Sequence, residues 1–137
     1  MTEIKTTFIK DMEFVAMTSS GNKVVMDTLK ENGAGATPME LLLAALTGCT
    51  GMDIVSILKK MQLEFSKFEI VVQGEKSEEH PKIYKKIRLI YKLYGDLPPD
   101  KVKNAIDLSI DKYCSVSNML KSVAEITYEY QILDSEQ

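Results

Sequence analysis

Thr37-Pro38-Met39-Glu40-Leu41-Leu42-Leu43-Ala44-Ala45-Leu46-Thr47-Gly48-Cys49 decides how this 137-residue chain folds. Thr37 is an N-cap, Pro38 fits the first helical position, and Glu40 stands three residues after the threonine. That spacing is a capping box, in which each side chain satisfies an orphan backbone N–H at the other's position. A helix is predicted from here to about Met61. Its early part, Leu41 to Leu46, is apolar all round, and a helix with no polar face needs cover on every side. At roughly 36 Å long, it is more than one small domain can surround. The expectation is a homodimer with a shared core. Gly48 and Gly51 flank Cys49 and Thr50, and each glycine costs about 1 kcal/mol relative to alanine in a helix interior. Tight helix packing explains them, as does close approach of a backbone or substrate to the Cys49 sulfur, and the two are compatible at a dimer interface.

Upstream, Ile4, Thr6 and Phe8 share one parity, then Met12, Phe14, Ala16 and Thr18. Ser20-Gly21-Asn22 supplies turn chemistry before a return strand at Lys23 to Asp27. This predicts an antiparallel meander over about 3–28, followed by a glycine-rich loop from Glu31 to Ala36. Downstream, Phe68, Ile70 and Val72 alternate with Glu69, Val71 and Gln73. A polar turn from Lys76 to Pro81 leads to a strand with Ile87, Leu89, Tyr91 and Leu93 on one face and Arg88, Ile90 and Lys92 on the other. Asp96-Leu97-Pro98-Pro99 ends that hairpin and opens a helix, with Val102, Ala105, Ile106, Ser109, Ile110 and Tyr113 at helical spacing. Cys114 falls where this helix ends, and Ser115 to Lys121 reads as a short further helix. A final strand alternates Ala124, Ile126, Tyr128, Tyr130 and Ile132 with polar residues. The fold class is α+β, as one domain over 1–137 without repeats or linkers.

Lys and Arg number 17 against 20 Asp and Glu, so the net charge is 17 − 20 = −3. This disfavours nucleic acid as a partner. The N-terminus has no apolar signal core, and no uninterrupted apolar run is long enough to span a bilayer. The expected location is the cytoplasm, where thiols stay reduced and a permanent disulfide is not expected. For the two cysteines, composition leaves buried packing and thiol chemistry both open. A helix beginning at Ser115 would place Cys114 at its N-terminus, where free N–H groups favour a thiolate.

Pro38-Met39-Glu40-Leu41-Leu42-Leu43-Ala44-Ala45, running into Gly48-Cys49, resembles the first-cysteine motif of the OsmC/Ohr family, the osmotically inducible and organic hydroperoxide resistance proteins. Cys114-Ser115-Val116-Ser117-Asn118, after a helix and before a final strand, resembles the second. The resemblance covers nearly the whole chain. It implies an OsmC-like fold: N-terminal meander, long buried central helix, strand hairpin, two further helices and a final strand, in an intertwined homodimer with both cysteines at the subunit interface. It also implies a thiol-dependent peroxidase. Cys49 would attack a peroxide, Cys114 would resolve the sulfenic acid to a disulfide, and a dithiol reductant would restore the pair. The catalytic set read from it is Cys49, Cys114 and Glu40, with no cofactor beyond the external dithiol and no nucleic-acid or membrane partner.

The sequence departs from that family's peroxidases in three places. They hold the thiolate with an arginine from the N-terminal meander, whereas the only arginine here is Arg88 on a predicted strand. Lys23 could substitute, but lysine is a point charge without the arginine fork. They carry a glutamate directly after the motif proline. Here that position is Met39, and Glu40 lies ~100° further round the helix, where capping is its first role. Ser115 replaces a proline often found after the second cysteine. A non-enzymatic dimeric small-molecule-binding or redox-sensing protein is the alternative function. His80 reads as a solvated turn residue. Two distant cysteines and one histidine make no zinc motif. Asp53, one turn after Cys49, is expected to face a partner cation or solvent.

Overall fold

The structure, a computed structural model, describes residues 1–135. The chain forms two compact units, Met1–Leu42 and a second from Leu43 onward.

The first unit is the expected meander. Strands β1 (Ile4–Lys10), β2 (Glu13–Thr18) and β3 (Lys23–Met26) form an antiparallel sheet in the order β1-β2-β3. The second turn is closed by Thr18, whose backbone N–H donates to Asn22 O at 2.8 Å. The glycine-rich loop is pinned by buried Asp27. Its carboxylate accepts from the backbone N–H of Thr28 at 2.7 Å and of Ala34 at 3.0 Å, and pairs with Lys30 at 3.3 Å. The two backbone donors hold the Asp27 carboxyl below its usual range. Gly35 passes so close to β3 that a Cβ there would lie 2.1 Å from Val25 O. No other residue type fits without moving backbone.

Helix α1 (Pro38–Lys60) starts as the capping box requires. Thr37 N–H donates to Glu40 Oε1 at 2.9 Å, and Glu40 N–H donates to Thr37 Oγ1 at 3.1 Å. Only the stripe Leu46, Thr50, Ile54 and Leu58 is fully buried. Leu42 is 41% exposed and Met52 76%. A single chain therefore does not cover the helix on every side. By length and composition alone the helix is also long and apolar enough to cross a membrane, its most apolar 18-residue window having a mean hydropathy of 1.9. Glu40 and Asp53 interrupt its apolar residues, so it is not an uninterrupted apolar run of that length.

The second unit holds a three-stranded sheet ordered β4-β5-β6, from β4 (Lys67–Lys76), β5 (Tyr84–Tyr94) and β6 (Glu125–Leu133). The β4–β5 hairpin is antiparallel, and β6 returns parallel to β5 with Tyr91 opposite Tyr130. A parallel return needs a crossover, supplied by α2 (Pro99–Leu108), a π-helical turn (Ser109–Tyr113) and α3 (Ser115–Leu120). Ile87, Leu89, Tyr91 and Leu93 are fully buried, as the alternation of β5 predicts, and so are Val102, Ala105 and Ile106 of α2. The opposite face of β5 carries Arg88, which pairs with Glu129 at 2.8 Å and donates to Gln73 at 3.2 Å. Tyr128 hydrogen bonds to Asp107, which also pairs with Lys103 at 2.7 Å, so β6 is tied to α2.

Candidate functional site

Cys49 and Cys114 come together in the second unit. Their sulfurs and a carboxylate oxygen of Asp53 all lie within 4.8 Å of one another. Cys49 and Asp53 are four residues apart on α1 and so share a helix face. Cys114 arrives from the crossover. The π-helical turn ends with Cys114 N–H donating to Ser109 O at 2.6 Å, and Cys114 then turns to an extended backbone as the N-cap of α3. Its sulfur accepts from Ser117 N–H at 3.3 Å. The Cys114 carbonyl accepts from the Asn118 side-chain amide at 2.8 Å and from Ser117 Oγ at 3.1 Å, which fixes the cap.

The electrostatics of Cys114 differ from the sequence expectation. The α3 N–H does reach the sulfur, but the residue is fully buried, and burial outweighs that donor. Burial first, then the nearby Cys49 thiol, push the Cys114 thiol up. Both effects favour the protonated form of the Cys114 thiol. Cys49 is half-buried. Arg88 is turned away, on the face of β5 opposite Tyr91.

Sequence reasoning expected Asp53 to face solvent or a partner cation. It points inward instead and belongs to a chain of hydroxyls. Ser109 Oγ donates to Asp53 Oδ2 at 2.9 Å, Thr50 Oγ1 lies 2.7 Å from Ser109 Oγ, and Tyr91 Oη lies 2.9 Å from Thr50 Oγ1. A hydroxyl has one proton. Ser109 gives its proton to the carboxylate, so Thr50 donates to Ser109 and Tyr91 to Thr50. Burial pushes the Tyr91 hydroxyl far up, which keeps it a donor. Every proton in the chain thus points toward Asp53. Among the described residues no buried side-chain nitrogen or oxygen lacks a partner. Asp53, Ser109, Thr50 and Tyr91 were missed as a set because they come from three elements. The one legible signal was an acid four residues after a cysteine in an apolar helix.

Glu40 belongs to the first unit and its carboxylate is engaged in the capping box. On the outward side of α1 a groove of about 700 Å³ is lined by Gly48, Gly51, Met52, Val55, Phe68 and Ile70, among others. A Cβ at Gly51 would lie 3.2 Å from Ile70 Cδ1, so this glycine lets α1 sit tightly on β4. A Cβ at Gly48 would meet nothing within 4 Å.

A long apolar helix against a mixed sheet, with two cysteines joined through a crossover, defines a class of small thiol proteins, and comparison with known proteins gives the family. Residues 30–129 match the family model described as OsmC-like protein. The chain belongs to the OsmC-like family. It is 35% identical over 127 residues to Protein YhfA of Escherichia coli K12, covering 92% of this chain and 94% of that one. A hypothetical protein from Aquifex aeolicus has the same fold, with a TM-score of 0.88 and 32% identity over 99% of this chain and 98% of its own. The organic hydroperoxide resistance protein OhrB of Bacillus subtilis shares the fold at a TM-score of 0.65 and 19% identity, over 94% and 98% of the two chains.

Proposed function

We propose that this protein is a thiol-dependent peroxidase for organic or hydrogen peroxide, with Cys49 as the attacking thiol and Cys114 as the resolving one. The observation that carries this reading is the approach of two cysteines, distant in sequence, to within 4.8 Å. Their burial supports the division of labour. Cys49 is half-buried and so the more accessible residue to a peroxide, while the fully buried Cys114 is placed to meet the oxidised sulfur from within. In the first step the Cys49 thiolate attacks one peroxide oxygen and the O–O bond breaks. Cys49 becomes a sulfenic acid, and the departing alkoxide or hydroxide takes a proton to leave as alcohol or water. The Cys114 sulfur then displaces the sulfenic hydroxyl, forming the disulfide and releasing water. An external dithiol reduces the disulfide by exchange and is itself oxidised. Glu40 enters this reading as the cap that fixes where the Cys49 helix begins.

The test is peroxide consumption under turnover with dithiothreitol or a lipoamide-type dithiol. Cys49→Ser is expected to abolish it. Cys114→Ser is expected to allow one oxidation of Cys49 without an intramolecular disulfide. An unchanged rate in Cys49→Ser sinks the assignment.

The alternative, a small-molecule-binding or redox-sensing protein, has one observation in its favour. Asp53 sits beside both sulfurs, and a neighbouring carboxylate opposes a thiolate. Alkylation of Cys49 as a function of pH separates the two. A midpoint at or above the ordinary thiol value of about 8.5 favours the sensor, and a lower one the peroxidase.

The proposal includes a homodimer in the reducing cytoplasm. Each unit leaves apolar groups in water: Phe8 is 57% exposed in the first and Met52 76% in the second. A second copy supplies the cover, and light scattering at micromolar concentration is expected to give the mass of two chains.

A further inference from the structure

We propose that Cys49, Asp53 and Cys114 form a three-ligand zinc site with an open fourth position. The proposal does not rest on the peroxidase reading. Two thiols and a carboxylate are a donor set that soft-to-borderline divalent ions take and that magnesium and calcium do not.

The geometry fits. Their ligand atoms already lie within 4.8 Å of one another. Tetrahedral zinc with Zn–S of about 2.3 Å and Zn–O of about 2.0–2.2 Å sets the two sulfurs about 3.8 Å apart and each sulfur about 3.5 Å from the oxygen. Closing from the present spacing takes side-chain movements of about 1 Å or less. Cys49 and Asp53, at i and i+4 on α1, present two donors from one rigid helix face. The same spacing serves the paired ligands of helical zinc sites. Cys114 supplies the third donor from the α3 cap, whose backbone is held by Ser109, Ser117 and Asn118.

The surroundings fit as well. A ligating carboxylate is normally oriented by a hydrogen bond from a second residue. Here Ser109 donates to Asp53 Oδ2 and is itself backed by Thr50 and Tyr91. That bond fixes the orientation of the Asp53 carboxylate beside the two sulfurs. Zinc binding releases the thiol protons, and the resulting two thiolates and one carboxylate carry three negative charges. Arg88, the chain's one arginine, is paired with Glu129 on the far face of β5. A bound dication offsets two of those charges. Three protein ligands leave one position for water or a small ligand, as in zinc sites that are not purely structural.

The test is titration of the fully reduced, metal-free, full-length protein with zinc and, as a spectroscopic stand-in, cobalt(II), anaerobically and without peroxide. One ion per chain is expected, with tetrahedral cobalt d–d bands and a near-ultraviolet thiolate-to-cobalt band of two-thiolate intensity. That spectrum of the unaltered protein is decisive even if a variant misfolds. Cys114→Ser is expected to halve the thiolate band, and Ser109→Ala to weaken zinc about 10–100-fold while keeping both thiolate bonds. An octahedral spectrum without thiolate bands overturns the proposal, as does a stoichiometry well below one or a titration unchanged in Cys114→Ser. Because no peroxide is present, loss of peroxidase activity with an intact cobalt spectrum leaves the zinc site standing. The converse removes it and leaves the thiol chemistry.

Discussion

At the scale of single residues, buried polar groups do the positioning, and their arrangement sets what mutation should cost. Thr50 is fully buried and bonded on both sides, by Tyr91 and Ser109. Thr50→Val keeps the volume but strands the Tyr91 hydroxyl and deprives Ser109 of its donor. An unsatisfied buried polar group costs about 1–3 kcal/mol, whereas loss of one ordinary hydrogen bond costs about 0.5–1.5 kcal/mol. Urea denaturation is therefore expected to rank Thr50→Val as more damaging than Tyr91→Phe, which removes the end of the chain. Asp27 is one source of acid sensitivity. Its folded-state carboxyl lies below the ordinary value because backbone N–H groups of Ala34 and Thr28 donate to it. A depressed carboxyl adds stability above the unfolded value of about 3.9, and that stability is lost as the pH falls through the lower folded value. Denaturation midpoints measured from pH 6 to pH 3 are expected to fall less steeply in Asp27→Asn than in the parent. The residue scale is also where sequence reading was least complete. Cys49, and Cys114 as an N-cap, were legible from local spacing. Asp53 was not, because a helical wheel shows which face a carboxylate is on but not that Ser109 waits across from it.

At the scale of elements, boundaries were legible wherever local chemistry dictates them. The Thr37–Glu40 capping box, the Pro98-Pro99 start of α2 and the alternation of β5 each fixed an element from side-chain type alone. The π-helical turn at Ser109–Tyr113 was not legible, because Ser109, Ile110 and Tyr113 continue the helical spacing of α2 and nothing local announces the wider turn. Yet that turn delivers Ser109 to Asp53 and leads into the extended Cys114 cap. The parallel pairing of β6 was likewise invisible to a strand's own alternation, which carries no direction. In the first unit, Gly35 is the element-scale constraint. A methyl group there would meet the Val25 carbonyl at 2.1 Å, and backbone cannot yield as a side-chain tip does. Gly35→Ala is expected to destabilise by about 1–3 kcal/mol, the usual cost of overpacking. A thermal melt of the full chain, compared with the parent, measures it.

At the scale of the whole molecule, the apolar surface of α1 is the open question that the sequence itself posed. Leu46, Ile54 and Leu58 are buried within one chain, while Leu42, a turn earlier on the same stripe, and Met52, on another face, are not. A soluble monomer gains nothing from an exposed methionine beside an apolar groove, and patches of that kind mark interaction surfaces. The proposed occupant is a second copy of the chain, and Met52 discriminates among the possibilities. In a free monomer Met52→Lys changes an exposed residue and should alter stability by no more than about 0.5 kcal/mol. In a dimer closed over this face the same change buries an unpaired charge, which is strongly unfavourable. Sedimentation velocity of Met52→Lys is therefore expected to show the mass of one chain where the parent shows two. The melting temperature of the parent, but not of the variant, should rise with protein concentration, as mass action requires of a dimer. A variant that keeps the parent's mass and concentration dependence places the interface elsewhere. A parent that requires detergent to remain in solution gives the face to a bilayer, for which α1 is also long enough.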